Sequence, residues 1–251
     1  MLATAMACLQ RERVESTVEV VRLDRPARRN ALDSETLSEL HQTLRELAAD
    51  PSLRALVLST TDVRALCAGA DVSEPLDARG GVARMQGFAR LYAAIEAFPV
   101  TTVCVCVGNV VGAGAEIAAG CDLRVGGENL RLAWAGARLG VPVGPARLAP
   151  LVGLSRARDL ILTGRVIGME EAQAMGLLNR VAPADRAEAE ALAVAGQVAA
   201  NDPEGVRGLK AMFRELEGLG PPERVARENA ILVEWQRRGP GLPAGRPSGD
   251  A

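Results

Sequence analysis

The sequence predicts a mixed α/β fold followed by a helical C-terminal region, on three observations. Apolar runs rich in β-branched residues, at 18–23, 55–58 and 100–107, have the length and content of buried strands. Segments with helical spacing lie between them, as in the stripe Leu37, Leu40, Leu44 and Leu47. From Asp185 onward the chain reads as helix after helix, at 185–200, 203–216 and 221–235, broken only by Asn-Asp-Pro and Gly-Pro-Pro. Strand, turn and helix in alternation argue for sheet and helices packed in layers.

Each element follows from local signals. The strand at 18–23 ends at Asp24-Arg25-Pro26, and Asp33 or Ser34 caps the first helix, which stops at Asp50-Pro51. A short strand at 55–58 is followed by a polar, glycine-containing stretch from Asp71 and then a helix over 88–97. After the strand at 100–107, the small residues 108–114 make a turn into another helix. Short strands near 123–125 and 130–133 precede helical segments at 147–151, 156–162 and 170–175, the last closed by Gly176. The expected division is a core over 1–184, a helical region over 185–237 and a disordered tail over 238–251, where Pro, Gly, Ser and Arg lack periodicity.

Composition narrows the function classes. A formal net charge of -2 over 251 residues argues against a general nucleic-acid or membrane-surface binder. No apolar stretch approaches the roughly 20 residues of a membrane span, and residues 1–8 lack the basic start of a signal peptide, so a cytoplasmic protein is expected. The five cysteines are odd in number and follow no metal-ligand spacing. Buried free thiols and no metal site are therefore expected, with Cys104 and Cys106 on one face of a strand.

Two small-residue turns carry the candidate chemistry. Ala68-Gly69-Ala70-Asp71 and Gly112-Ala113-Gly114-Ala115-Glu116 each follow an apolar strand. Small residues allow a ligand close to the backbone, and peptide N–H groups at a helix start are unpaired and lie at the positive end of its dipole. Two such groups aimed at one point make an oxyanion hole; the plainer alternative is close packing of helix on sheet.

LDRPARRNALDSETLSEL (23–40), ALCAGADV (65–72), GNVVGAGAEIAAGCDLRV (108–125), LGVPVG (139–144) and LTGRVIGMEEAQAMGLLNRV (162–181) occur in this order. Together they resemble the crotonase superfamily, the enoyl-CoA hydratase/isomerase family. The resemblance implies a spiral of repeated strand-strand-helix units with a helical C-terminal region that builds homotrimers, often paired as hexamers. It implies an acyl-CoA or enoyl-CoA substrate, with no cofactor beyond that thioester. Its oxyanion donors fall on the N–H groups of Ala70 and Ala113. The walls for CoA and substrate fall on Ala27, Arg28, Ala68, Gly69, Asp71, Val72, Gly112 and Gly136. The acid/base residue falls on Glu116.

One departure matters. Hydratases of that family carry a second catalytic glutamate 20 positions beyond the first, and that position is Gly136 here. No Asp or Glu lies between Asn129 and Pro150. The expectation is therefore a single-carboxylate enzyme inclined to isomerisation or proton exchange over hydration. The alternative is a catalytically silent binder of acyl-CoA or of an acyl-carrier thioester. Tyr92 is the substitute proton donor to consider, and Trp134 is expected to pack.

Overall fold

The computed structural model describes residues 8–238. The chain divides after Pro203 into two compact units. In the first unit, β1 (Leu9–Val14) and β2 (Val18–Leu23) form an antiparallel hairpin. Four further strands, β3 (Ala55–Thr60), β5 (Thr101–Cys106), β7 (Leu123–Gly127) and β9 (Arg180–Ala182), extend it in parallel in the order β1-β2-β3-β5-β7-β9. A second, three-stranded parallel sheet takes β4 (Ala65–Cys67), β6 (Asn109–Val111) and β8 (Arg131–Ala133) in that order.

The two sheets arise from one repeat. β3 and β4 lead into α2 (Ala78–Glu96), β5 and β6 into α3 (Ala113–Gly120), and β7 and β8 into α4 (Gly136–Leu139). β2 leads into α1 (Ser34–Ala48) through Leu32, which bridges to Ala70 in parallel where a small-sheet strand would stand. Each turn of the spiral thus gives one strand to each sheet, and the ends of the small-sheet strands stack side by side.

Side-chain alternation shows why the strands read as unbroken apolar runs. Val18, Val20, Ala55, Val57, Val103 and Val105 face one cluster with α8 (Ala187–Ala199). Val21, Leu23, Leu56, Leu58, Cys104 and Cys106 face the other, with Leu37, Leu40, Leu44 and Leu47 of α1. A parallel sheet covered on both faces needs apolar residues at every position. The small Ala187, Ala191 and Ala195 line the packed side of α8. Cys104 and Cys106 do share a face, with sulfurs 3.9 Å apart, and all five cysteines are buried and free.

Several elements differ from the sequence expectation. β1 is not among the expected strands, because its outward residues are charged. Arg11 and Arg13 instead clasp the buried Glu19 of β2 at 3.0 and 2.7 Å. α2 begins ten residues earlier than 88, capped by Asp77, whose carboxylate accepts from Gly80 N–H at 2.7 Å; its exposed first half contains Gly80 and Gly81 and lacks an apolar stripe. The stretch 108–114 holds strand β6 as well as a turn. α8 packs on the six-stranded sheet, so the compact unit runs to Pro203 and not to 184.

The first unit also contains α5 (Pro145–Val152), α6 (Leu154–Thr163) and α7 (Met169–Ala174), besides α8. The second unit contains nearly all of α9 (Pro203–Leu216) and α10 (Pro221–Arg238). The tail expected over 238–251 lies, apart from Arg238, outside the described residues. Among the described residues no helix is long and apolar enough to cross a membrane.

Candidate active site

The site is built where β4 and β6 end beside each other. β4 runs into Gly69 (φ +109°) and β6 into Gly112 (φ +55°), conformations that a side chain disfavours. The two turns touch: a Cβ on Gly112 would lie 3.8 Å from Gly69 Cα, and one on Gly69 would lie 3.3 Å from the Val111 carbonyl oxygen. Gly114 brings α3 against β4, since a Cβ there would meet the Cys67 carbonyl oxygen at 2.4 Å.

Ala70 and Ala113 each follow one of these glycines. Flanking bonds fix the first turn: Leu32 N–H donates to Gly69 O, and Asp71 N–H to Leu32 O, both at 2.8 Å. The N–H of Ala70 between them donates to no backbone acceptor among the described residues. Ala113 is the first residue of α3, so its N–H has no partner within the helix. Gly112 N–H donates to Ala133 O at 2.9 Å, which ties the second turn to β8.

The expected walls occupy both sides of the first turn. Ala27 and Arg28 lie exposed in a single 3-10 turn, Pro26–Arg28. Arg28 Nη1 donates to Ser73 Oγ at 3.4 Å, which joins this turn to the Ala68–Val72 segment. Ala68 is half-buried, Gly69 buried and Val72 78% exposed. Asp71 accepts from Ser73 N–H and Oγ at 3.0 and 2.6 Å, and those bonds outweigh its burial to hold its pKa below the usual range. Its carboxylate therefore holds the turn. Asn30 does the same from beneath, donating to Thr60 Oγ1 and Ala65 O at 2.7 and 3.0 Å.

Glu116 lies on the first turn of α3, its N–H bonded to Gly112 O at 3.0 Å. Its side chain is wholly buried. Oε2 accepts from Arg147 Nη1 of α5 at 2.9 Å, and Oε1 has no hydrogen-bond partner. Burial raises its pKa; Arg147 and then Trp134 oppose that rise without cancelling it, and Glu96 adds to it. Arg147 also ion-pairs with Glu96 at 2.5 Å and lies 4.7 Å over the Tyr92 ring. Sequence reasoning missed Arg147. Glu116 lies 31 residues away from it, and no local period links the two.

Gly136 is buried, and a Cβ there would lie 2.5 Å from the Val141 carbonyl oxygen. Val141 N–H returns a 2.9 Å bond to Gly136 O. The backbone itself thus leaves no room for a side chain at the position where the resemblance leads one to expect a second carboxylate. Trp134 is buried as expected; its indole N–H falls short of a full hydrogen bond but lies near enough to Glu116 to hold that carboxylate's pKa down against its burial. Among the described residues no three His, Cys, Asp or Glu side chains gather as metal ligands.

The arrangement is two adjacent turns with free N–H groups and one buried carboxylate beside them. The model of the enoyl-CoA hydratase/isomerase family matches residues 13–237. The chain belongs to that family. It is 37% identical over 227 residues to a candidate enoyl-CoA hydratase of Thermus thermophilus, covering 88% of this chain and 89% of that protein. It is 31% identical to the 2,3-dehydroadipyl-CoA hydratase of Escherichia coli, with 87% of each covered. Among solved structures, the enoyl-CoA hydratase of Bacillus anthracis superposes with a TM-score of 0.86 at 25% identity over 90% of each chain. The spiral expected from the motifs is thus the fold observed.

Proposed function

We propose that this member of the enoyl-CoA hydratase/isomerase family processes acyl-CoA thioesters with one acid/base group. The thioester carbonyl accepts hydrogen bonds from Ala70 and Ala113 N–H, which stabilise the oxyanion of an enolate. Glu116 takes a proton from one substrate carbon and returns it to another. Ala27, Arg28, Ala68, Gly69, Asp71, Val72 and Gly112 form the walls for CoA and the acyl chain; Gly136 backs the acyl end. The chain acts in the cytoplasm, where five buried free thiols are at home. Its C-terminal helices join copies into a homotrimer or a dimer of trimers.

The observation that carries this reading is the free, buried Oε1 of Glu116 on the helix that begins at Ala113. A carboxylate removed from bulk water favours return of the proton to carbon over capture of a hydroxyl group. Gly136 supplies no second carboxylate to activate water. The test is to compare hydration of crotonyl-CoA with conversion of 3-hexenoyl-CoA to 2-hexenoyl-CoA by the same preparation. Isomerisation should be the faster by about tenfold or more, since general acid/base help contributes that much and more. Hydration faster than isomerisation overturns the single-carboxylate assignment.

The Arg147–Glu116 pair favours a second reading, because an ion-paired carboxylate is a weaker base. In that reading the chain binds acyl-CoA, or an acyl-carrier thioester, without turnover. Binding of butyryl-CoA with neither reaction detectable would select it.

A further inference from the structure

We propose that Arg147 is the positioning residue of this site, pinning one carboxylate oxygen of Glu116 so that Oε1 alone takes and returns the proton. This rests on Glu116 being the acid/base group.

Arg147 is held from three sides. Its Nη1 donates to Glu116 Oε2 at 2.9 Å, its guanidinium carbon stands 4.7 Å over the Tyr92 ring, and its Nε lies 2.5 Å from Glu96 Oε1 as an ion pair that is not a hydrogen bond. A planar guanidinium fixed in this way fixes the carboxylate that it binds. Oε1 is left buried and unpartnered, with Gly144 so close that a Cβ there would lie 3.3 Å away. The indole N–H of Trp134, a second unpartnered buried group, adjoins the same corner: a Cβ on Gly144 would lie 2.9 Å from its ring.

The charged and titratable neighbours agree with this division. Arg147 on α5 is the cation facing Glu116, and Glu96 on α2 is the further anion. Tyr92 on α2 and Cys67 on β4 stay neutral: burial first, then the Glu116 charge, raises the phenol, and burial pushes the thiol up to about 12. Arg147 therefore keeps the buried carboxylate ionised enough to act as a base. In the reaction a C–H bond breaks, its proton goes to Oε1 and its electron pair stays on the substrate as the enolate. Oε1 then delivers a proton, the one it took or one exchanged with solvent, to form a new C–H bond at the α or γ carbon.

The test uses the full chain and butyryl-CoA as probe. Uptake of solvent deuterium at the α carbon is followed against pH in the parent, R147Q, R147K and E116Q, with folding checked by circular dichroism. R147Q should move the acid limb of the profile upward by about one to three pH units, the range of an arginine's effect on a carboxylate. Its plateau rate should fall roughly 10- to 100-fold through misorientation, with KM for butyryl-CoA unchanged. R147K should bring the limb back toward the parent position while the rate stays low. The proposal is overturned if R147Q keeps the parent limb and rate, or if only KM changes. If R147Q does not fold, R147K decides: a parent rate there also overturns the proposal. An inactive E116Q beside a parent-like R147Q removes Arg147 alone. Parent-like exchange in E116Q removes the acid/base reading itself.

Discussion

Gly136 decides what the site lacks, and its environment turns that into a prediction. A Cβ at this position would stand 2.5 Å from a backbone oxygen that cannot swing away as a side chain does. Gly136→Glu should therefore not install a second catalytic carboxylate. It should destabilise the fold by ~1–3 kcal/mol, as overpacking does, and leave crotonyl-CoA hydration no faster. Denaturant unfolding and a hydration assay check the two halves; a stable variant with raised hydration would refute both. Among the proposed donors, Ala70→Pro removes an N–H that has no backbone acceptor among the described residues. Turnover should fall by about 3 kcal/mol of transition-state stabilisation with little loss of stability. Retention of the parent rate in the folded variant would exclude Ala70 as a donor. At this scale the sequence was legible where the chemistry needs small residues in a row. The turns that hold Ala70 and Ala113 and the helix start that carries Glu116 follow from that pattern; the roles of the three residues are proposed from the family resemblance. Arg147, Glu96 and Gly144 do not, because their nearness to Glu116 is made by the folding of α2 and α5.

The packing of α3 and α8 sets the scaffold that holds those groups. Gly114→Ala places a methyl group 2.4 Å from the Cys67 carbonyl oxygen and should push α3 off β4. A loss of roughly 3 kcal/mol is expected, together with weaker thioester binding as the two turns separate. Thermal unfolding and butyryl-CoA binding measure it; an unshifted melting temperature would show that the contact is not tight. On the other sheet face, Glu188 of α8 accepts from Arg22 of β2 at 2.6 and 2.8 Å. Burial alone would raise the Glu188 pKa, but the bonds from Arg22 and then Ser59 outweigh it and hold the group low. Its contribution is thus present above the ordinary glutamate pKa and is lost as pH falls through the lowered folded value. Glu188→Gln should cost about 1 kcal/mol at pH 7 and nothing in strong acid. An equal deficit at both pH values would contradict the assignment. Element by element, long apolar strands and the leucine stripe of α1 were legible. β1, β4, β6 and β9 were not: β1 carries charge outward at a sheet edge, and the other three are three residues long, a length at which only β8 was legible.

The whole molecule raises the question of assembly. The second unit exposes Leu209 and Phe213 on one face of α9, at 56% and 76%, and Leu232 and Val233 on α10, at 63% and 48%. Apolar surface in this quantity argues for contact with other copies. Sedimentation should show a trimer or hexamer at micromolar concentration, and Leu209→Glu with Phe213→Glu should shift it toward folded monomer. A monomeric parent would remove the trimer proposal. The alternation of strand, turn and helix was legible at this scale. The unit boundary was not, because α8 has the same helical rhythm as α9 and α10, and only its packing on the sheet assigns it to the core.

The central claim is that one carboxylate, Glu116, moves the proton. Solvent deuterium uptake at the α and γ carbons of 3-hexenoyl-CoA, compared between the parent and Glu116→Gln, tests it most directly. The amide keeps the shape of the side chain but cannot accept the proton, so uptake at both carbons should fall by about 100-fold or more while thioester binding stays near the parent level. Uptake at the parent rate in Glu116→Gln would contradict the account and direct the search for the base to Tyr92.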